Sequence, residues 1–351
     1  MKIAVLLSGG VDSSLALQLL SQSGTHSLTA FYLKIWLEDE LAFLGDCPWE
    51  TDLRYVRAVC DKLNVPLEVV SMQSEYRERI VEFALAELKE GRTPSPDIQC
   101  NQWIKFGEFY HKIDASFEKV ASGHYAQIEE KNGTFLLKRA PDAIKDQTYF
   151  LSRLSQEQLS RALFPIGHLE KAQVRDMALS FDLPTQDRKD SQGICFLGKI
   201  KYPEFVKFHL GERDGTIVDA ESDKVLGKHK GVWFYTIGQR QGLGLGNGPW
   251  FVTRKNIDTN TVYVTHKDFL KNHQHCKLSV RSLHWISSPP PDRANLQIKL
   301  RHGPELNTCQ ITYLAKDRIR IDMEQEDTGI APGQSVIFYD EQYCLGSGTI
   351  E

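Results

Sequence analysis

Short apolar runs and amphipathic stretches alternate along the first 130 residues. Residues 3–7 (Ile-Ala-Val-Leu-Leu) form an unbroken apolar run, the pattern of a strand buried on both faces. A helical stretch follows over 13–21, and residues 28–34 read as a second strand. Residues 52–63 place apolar side chains at 53, 56, 59, 60 and 63, one face of a helix. A third strand is expected at 67–71, a helix at 74–90 stopped by Gly91, a further helix at 102–110, and a strand end and turn at 120–124. Strands alternating with helices predict a parallel sheet with its ligands at the carboxyl edge. Beyond residue 200 the pattern becomes short and strand-like. Residues 215–219 and 224–227 read as a hairpin, 231–248 are glycine-rich, and strands are expected at 279–285, 296–301, 309–314, 318–323 and 335–339. The predicted fold is therefore α/β: an N-terminal parallel-sheet domain over 1–200, a small β-rich central domain over 201–270, and a C-terminal β-barrel over 271–351.

Charge changes this picture by its distribution. The net charge is only −4, which by itself argues against a nucleic-acid binder, but residues 131–255 hold 20 basic against 14 acidic side chains, while residues 1–130 hold 12 against 20. A polyanion is expected on the middle of the chain. No run of 18 apolar residues occurs, so no membrane span is predicted. No charged-then-apolar leader opens the chain, so no signal peptide is expected. Seven scattered cysteines fit a reducing compartment, hence a cytoplasmic location. None has zinc-site spacing, and no metal ligand set is assigned.

The run ending at Leu7 breaks into Ser8-Gly9-Gly10-Val11-Asp12-Ser13-Ser14 ahead of a helix. A strand feeding a helix through paired glycines aims free backbone N–H groups at one point, where the helix dipole favours an anion. Asp12, Ser13 and Ser14 can cap the helix or meet a phosphate or its metal. The string lacks the Gly-Lys-Ser/Thr of a Walker loop and resembles the pyrophosphate loop of ATP pyrophosphatases. Two cysteines stand apart. Cys100 follows Ser95-Pro96-Asp97-Ile-Gln, where the prolines stiffen a loop and Asp97 lies close enough to move a proton for a thiolate; the same residues also read as a helix-capping Asp beside an inert thiol. Cys195, in Asp190-Ser-Gln-Gly-Ile-Cys-Phe196, reads equally as a buried strand cysteine. Cys60 falls on the apolar face of its helix and is expected in the core, and Cys47 is undecided. His124 reads equally as a nucleotide contact or as the filling of a turn; Lys145, Asp146 and Gln147 read as a solvated loop or as a phosphate or base contact; Arg301, His302 and Gln334 read as ordinary loop residues.

Together with Ser122-Gly-His-Tyr125, Lys145-Asp-Gln-Thr-Tyr-Phe150 and Tyr235-Thr-Ile-Gly-Gln-Arg240, these segments resemble, in order and across nearly the whole chain, the bacterial tRNA-specific 2-thiouridylase family. The resemblance implies a PP-loop (adenine nucleotide alpha hydrolase-like) N-terminal domain and ATP-dependent replacement of the C2 oxygen of the wobble uridine by sulfur. It implies ATP, with Mg²⁺, on Leu7 and Ser8 to Ser14, with Leu33 and Gly123 near the adenosine. Cys100 would be the nucleophile, Cys195 the persulfide carrier, the two able to form a disulfide, and Asp97 the general acid/base. Ser95, Pro96 and Asp97 would face the target base; His124, Lys145, Asp146, Gln147, Arg301, His302 and Gln334 would face tRNA. A persulfide donor protein is the implied partner. The family usually has Asn where Ser95 stands, which shortens that side chain's reach, and often Met where Leu33 stands. The competing readings are another adenylating synthetase of amidotransferase type, which needs no paired cysteines, and a non-enzymatic RNA-binding protein.

Overall fold

A computed structural model describes residues 1–35, 49–190 and 201–351. β1 (Lys2–Leu6) lies in the middle of a five-stranded sheet because it is apolar on both sides. Ile3 and Val5 face α1 (Val11–Gln22) and α2 (Trp49–Leu63), which cover them with Leu17, Leu20, Leu53, Val56, Val59 and Cys60. Ala4 and Leu6 face the other way, into a core with Phe31, Phe106 and Phe109. The strand order is β3 (Leu67–Ser71), β2 (Ser27–Lys34), β1, β4 (Lys119–Ala121), β7 (Ala162–Leu163), and every pairing is parallel. The chain passes from β1 outward to β2 on one side and from β4 outward to β7 on the other. That reversal opens a crevice between the carboxyl ends of β1 and β4.

Helix α3 runs over residues 73–89, close to expectation, and Gly91 follows it in the left-handed region (φ +71°). The next helix departs from expectation. It starts at Pro96, not at 102, and α4 extends over residues 96–112. Proline is tolerated at the first helical position because no N–H donor is needed there. Over Cys100–Glu108 the helix widens to π-type turns, with Phe106 off helical geometry (φ −113°, ψ 16°). Gly107 permits this, since a Cβ there would sit 2.7 Å from the Gln102 carbonyl oxygen. Gln158, on α6 (Gln156–Arg161) beyond the short α5 (Thr148–Leu151), repairs the loosened ladder: its Nε2 donates to the carbonyls of Gln102 (2.7 Å) and Phe106 (2.8 Å). Two further helices, α7 (Lys171–Ser180) and α8 (Tyr202–Leu210), complete the helical set used below.

The expected hairpin is β8 (Gly215–Asp219) with β9 (Val225–His229); β10 (Trp250–Asn256) and β11 (Thr261–His266) extend it to four strands. The last sheet closes on itself as an antiparallel barrel of β12 (His275–Trp285), β15 (Arg318–Asp327), β14 (Asn307–Ala315), β13 (Asn295–Lys299), β16 (Ser335–Asp340) and β17 (Tyr343–Ile350), sealed by β12 against β17. Sequence patterning ended its last strand at 339 and passed over β17. It also passed over β5 (Ala126–Lys131) and β6 (Thr134–Arg139), a hairpin turning on Asn132-Gly133, both at positive φ. This hairpin leaves the first half of the chain and joins the barrel sheet: Leu137 pairs with Cys344 and Lys138 with Tyr343. One apolar core accordingly holds Phe106 and Tyr149 together with Ile337, Tyr339 and Cys344. Replacing Gln158 by Ala should destabilise the protein by about 1–3 kcal/mol, since two part-buried carbonyls each lose a donor; an earlier urea unfolding midpoint is the expected reading.

Candidate active site

The Ser8–Ser14 string forms the turn from β1 into α1, at the mouth of the crevice. Gly9 sits at φ +78°, and a Cβ there would meet the Asp52 carbonyl oxygen at 2.8 Å, so both conformation and space require glycine. Gly10 caps α1 without any side-chain cap bond, which leaves the first-turn N–H groups aimed outward at the crevice. The turn is braced from within: Ser8 N donates to Ser13 Oγ (3.2 Å) and Ser14 Oγ to the Gly10 carbonyl (2.9 Å). Leu7 and Val11 are buried on either side. Gly123, just past β4, lies against the same turn; a Cβ on it would stand 2.6 Å from Ser13 N. Leu33 is half-buried near the carboxyl end of β2.

Charged side chains surround this turn. Asp12 Oδ1 accepts from the Tyr125 hydroxyl and from Lys171 Nζ, both at 2.7 Å. Lys171 also reaches Asp190 Oδ1 at 2.9 Å, and Asp190 is held further by Lys145 (2.6 Å) and Arg175. Burial would raise the Asp190 carboxyl, but hydrogen bonds from Lys145 and Lys171 and their charges keep it below the usual carboxylate range. On the opposite side Arg188 donates to the Gly9 carbonyl and to Asp52, each at 2.7 Å. Lys171, Asp190, Arg188 and Tyr125 were not singled out from the sequence. The reciprocal Glu170–Gln173 cap, which starts α7 at Lys171, is the signal that could have placed the first of them.

Asp97 and Cys100 lie three residues apart at the start of α4, so they share one helical face. Cys100 is 1% exposed, packed among Met72, Tyr76, Ile80 and Phe205, with Leu33 and Val70 from the carboxyl ends of β2 and β3 against the same cluster. Asn101 ties the turn down by donating to the carbonyls of Asp97 (3.0 Å) and Phe150 (3.3 Å). Barrel loops cover it. Thr93 N donates to the Pro332 carbonyl at 2.7 Å, and a Cβ on Gly333 would stand 2.7 Å from Arg92 Cβ. The His302 ring stacks on Phe150 (4.8 Å), and the Tyr149 hydroxyl donates to the Ser335 carbonyl (3.3 Å). Burial raises the Tyr149 phenol; the Arg301 charge opposes this and the Asp97 charge adds to it, which puts both within electrostatic reach of one hydroxyl. Ser95, Pro96, Asp97, Arg301, His302 and Gln334 thus gather at one junction. Thr236 of the glycine-rich stretch shares a cavity of ≈190 Å³ there with Thr93, Pro94 and Pro96.

Two of the polar turn residues are inside. Asp146 is fully buried, bonded to Arg139 and Lys299 (3.1 Å each) and to Thr148 Oγ1 (2.9 Å). Its carboxylate is a structural centre, not part of an exposed face. Neighbouring Gln147 accepts from Tyr125 N at 3.0 Å, and Lys145 is engaged by Asp190. His124 is buried between Phe106 and Phe164, its Nδ1 2.7 Å from Ser122 Oγ. Cys60 is buried as expected, whereas Cys47 and Cys195 lie outside the described residues. Burial, then the Lys105 charge, push the His124 imidazole well below its ordinary 6.5. The unfolded chain then takes up a proton there that the folded chain refuses. Stability from this group is complete above 6.5 and is lost as pH falls, at up to about 1.4 kcal/mol per pH unit. His124→Gln should flatten the acid limb of a stability-against-pH curve measured by urea unfolding.

Comparison with known proteins agrees over the whole length. Family models described as a tRNA methyl transferase HUP domain, a tRNA methyl transferase PRC-barrel domain and an aminomethyltransferase beta-barrel domain match residues 1–199, 203–266 and 275–350. The tRNA-specific 2-thiouridylase MnmA of Parabacteroides distasonis is 42% identical over 356 residues, covering 100% of this chain and 99% of its own. MnmA 1 of Bacteroides thetaiotaomicron is 42% identical with the same coverage, and MnmA of Porphyromonas gingivalis is 41% identical over 361 residues, covering 100% and 99%. The model descriptions speak of methyl transfer and the relatives of thiolation. Identity above 40% that leaves no part of the chain unmatched decides between them: the chain belongs to the tRNA-specific 2-thiouridylase family.

Proposed function

We propose that this protein replaces the C2 oxygen of the wobble uridine of tRNA by sulfur, consuming ATP and releasing AMP and pyrophosphate. The supporting observation is one convergence. An uncapped glycine turn and the Asp97–Cys100 helix start both lie toward the carboxyl edge of the parallel sheet; the Pro332–Gly333 barrel loop rests on residues 92–93 just before the latter, and His302 stacks on Phe150, whose carbonyl Asn101 holds. The three units are read as 1–200, 201–270 and 271–351, working in the cytoplasm. Among the described residues no helix is long and apolar enough to cross a membrane.

In this reading the N–H groups of Gly9 to Ser13 cradle the ATP phosphates, and Gly123 lets the α1 turn lie close to β4. The Asp12 carboxylate and the Ser8 and Ser13 hydroxyls are hard oxygen donors of the kind Mg²⁺ takes, and the ion would supply charge neutralisation of the phosphates. The uridine C2 oxygen attacks the α-phosphorus, and pyrophosphate leaves. The C2 substituent is then a phosphate ester, a good leaving group. Sulfur arrives as a persulfide on Cys195, loaded by a donor protein. The Cys100 thiolate attacks the inner sulfur, forming a Cys100–Cys195 disulfide, while the released sulfur displaces AMP at C2. Asp97, one turn from Cys100, takes the proton that leaves. Cys100 is closed off in the apolar cluster, so the helix start must open for its sulfur to react. Cys60 and Cys309 are poor candidates for such work; burial pushes their thiols up to about 11 and about 12.

Mass spectrometry of wobble uridine after incubation of the protein with tRNA, ATP and a sulfur source tests the reading. A gain of sulfur for oxygen is expected, and Cys100→Ser and Cys195→Ser should each abolish it. Full activity in both variants would remove the paired-thiol mechanism and favour an adenylating synthetase of another type. Binding of tRNA with no consumption of ATP would exclude an enzyme.

A further inference from the structure

We propose that Asp146 and Lys299 are positioning residues for tRNA recognition: their buried ion pair fixes the barrel's Arg301–His302 corner over the Asp97–Cys100 helix start. The inference rests on the tRNA reading given above and assigns neither residue a contact with tRNA.

The pair joins segments far apart in the chain. Lys299 ends β13, two residues before Arg301; Asp146 precedes α5. Their side chains, 3.1 Å apart, are both wholly shielded from solvent. The rest of the Asp146 carboxylate is satisfied from the first half of the chain. Oδ2 also accepts from Arg139 Nε on β6, and Oδ1 accepts from Thr148 Oγ1 (2.9 Å), Thr148 N (3.3 Å) and Ala140 N (3.4 Å). The main chain of the same residue makes a second link, because the Asp146 carbonyl lies 3.2 Å from His302 Nε2. Side chain and backbone of Asp146 therefore grip the barrel at residues 299 and 302. From there the restraint passes to the site without a gap. His302 stacks on Phe150, and Phe150 offers its carbonyl to Asn101, which also holds the Asp97 carbonyl.

Ordinary stability is a weak reason for such a pair. Taking an ammonium and a carboxylate out of water costs several kcal/mol, and apolar replacements of similar volume are often neutral or better. A fixed register is the better-attested use of a buried ion pair. Here register is functionally exacting. β13 also pairs with β14 and β16, so a slip at Lys299 moves the corner that carries Arg301 and His302.

Lys299→Met removes the cross-link yet leaves Asp146 its Arg139 and Thr148 partners, so no buried carboxylate is stranded. In steady-state thiolation assays this variant should raise the KM for tRNA about 10–100-fold, the scale expected of a misplacement near 1 Å, with the KM for ATP within about twofold of wild type. Thr148→Val, which loses one hydroxyl bond to Asp146, should raise the tRNA KM about fivefold in the same selective way. Circular dichroism melting checks that each variant is folded, and if Lys299→Met is not, the Thr148→Val result decides. An unchanged tRNA KM in a folded variant, or equal losses toward ATP and tRNA, would overturn the inference. The wild-type protein assayed in parallel separates the two levels. If it does not thiolate tRNA, the functional reading fails; if it does and the variants match it, only the positioning role fails.

Discussion

Everything at the site depends on the barrel being unable to move independently of the parallel sheet. The β5–β6 hairpin leaves the first half of the chain immediately after the crevice residues Gly123 and His124 and adds itself to the barrel through β17. Behind that edge the apolar core is continuous from Phe106 to Tyr339. A barrel attached only by a linker would have to lose rotational freedom each time it closed over the substrate. In this fold that cost is met during folding: the loop at 332–333 rests against residues 92–93, and His302 against Phe150, in the free protein. The central unit is packed onto the same framework. Ile257 occupies the space above Gly91, and Gly238 approaches Gly329 so closely that a Cβ on it would lie 3.1 Å from the Gly329 Cα.

The electrostatics have the same economy. A phosphate turn carrying Asp12 in the first helical turn, in a stretch with a large acidic excess, is a poor home for a polyanion unless cations are brought to it. They come from the basic middle of the chain. Lys145, Lys171 and Arg175 converge on Asp190, Lys171 reaches Asp12 as well, and Arg188 braces the Gly9 carbonyl. The excess of positive charge over 131–255 is thus partly internal: its members neutralise acids around the crevice and do not all form an outward-facing stripe. Arg139, paired with buried Asp146, belongs to the same pattern. Arriving phosphates would meet cations already ordered by carboxylates, and the pairs can exchange partners without a new side chain having to be fixed.

The sequence made the parallel sheet legible because β1 is apolar from Ile3 to Leu6 and because α2 carries a clean apolar face at 53, 56, 59 and 60. The glycine turn was legible because only a close backbone approach needs two glycines at that point. Less was visible at Cys100. Two prolines read as a loop, yet one falls where a helix accepts it, and this puts Asp97 and Cys100 on one helical face. The Asn132-Gly133 hairpin carried a strong local signal, but nothing local says that its partner strand lies two hundred residues later. The burial of His124 and Asp146 was hidden for a related reason. Polar residues in short turns are usually solvated; here the turns are roofed by α4 on one side and the barrel on the other, and each polar group finds its partners inside.

The remaining tension is between a closed thiol and the role proposed for it, which needs it open. Cys100 is packed as tightly as a structural cysteine, but the helix that carries it is not built as a structural helix would be. Its backbone widens from Cys100 onward, Phe106 leaves helical geometry, and the carbonyls of Gln102 and Phe106 accept from a side chain, Gln158. Wide turns of this kind hold their hydrogen bonds less well than α-turns and recur where function requires a local change of shape. The far side of the same turn is fixed by Asn101 and roofed by the barrel. In the role proposed for Cys100, the change of shape falls to the widened turns that follow it, since Asn101 and the barrel loops hold the start of α4. A closed resting thiol is also protected from oxidation, which suits the nucleophilic role proposed for Cys100.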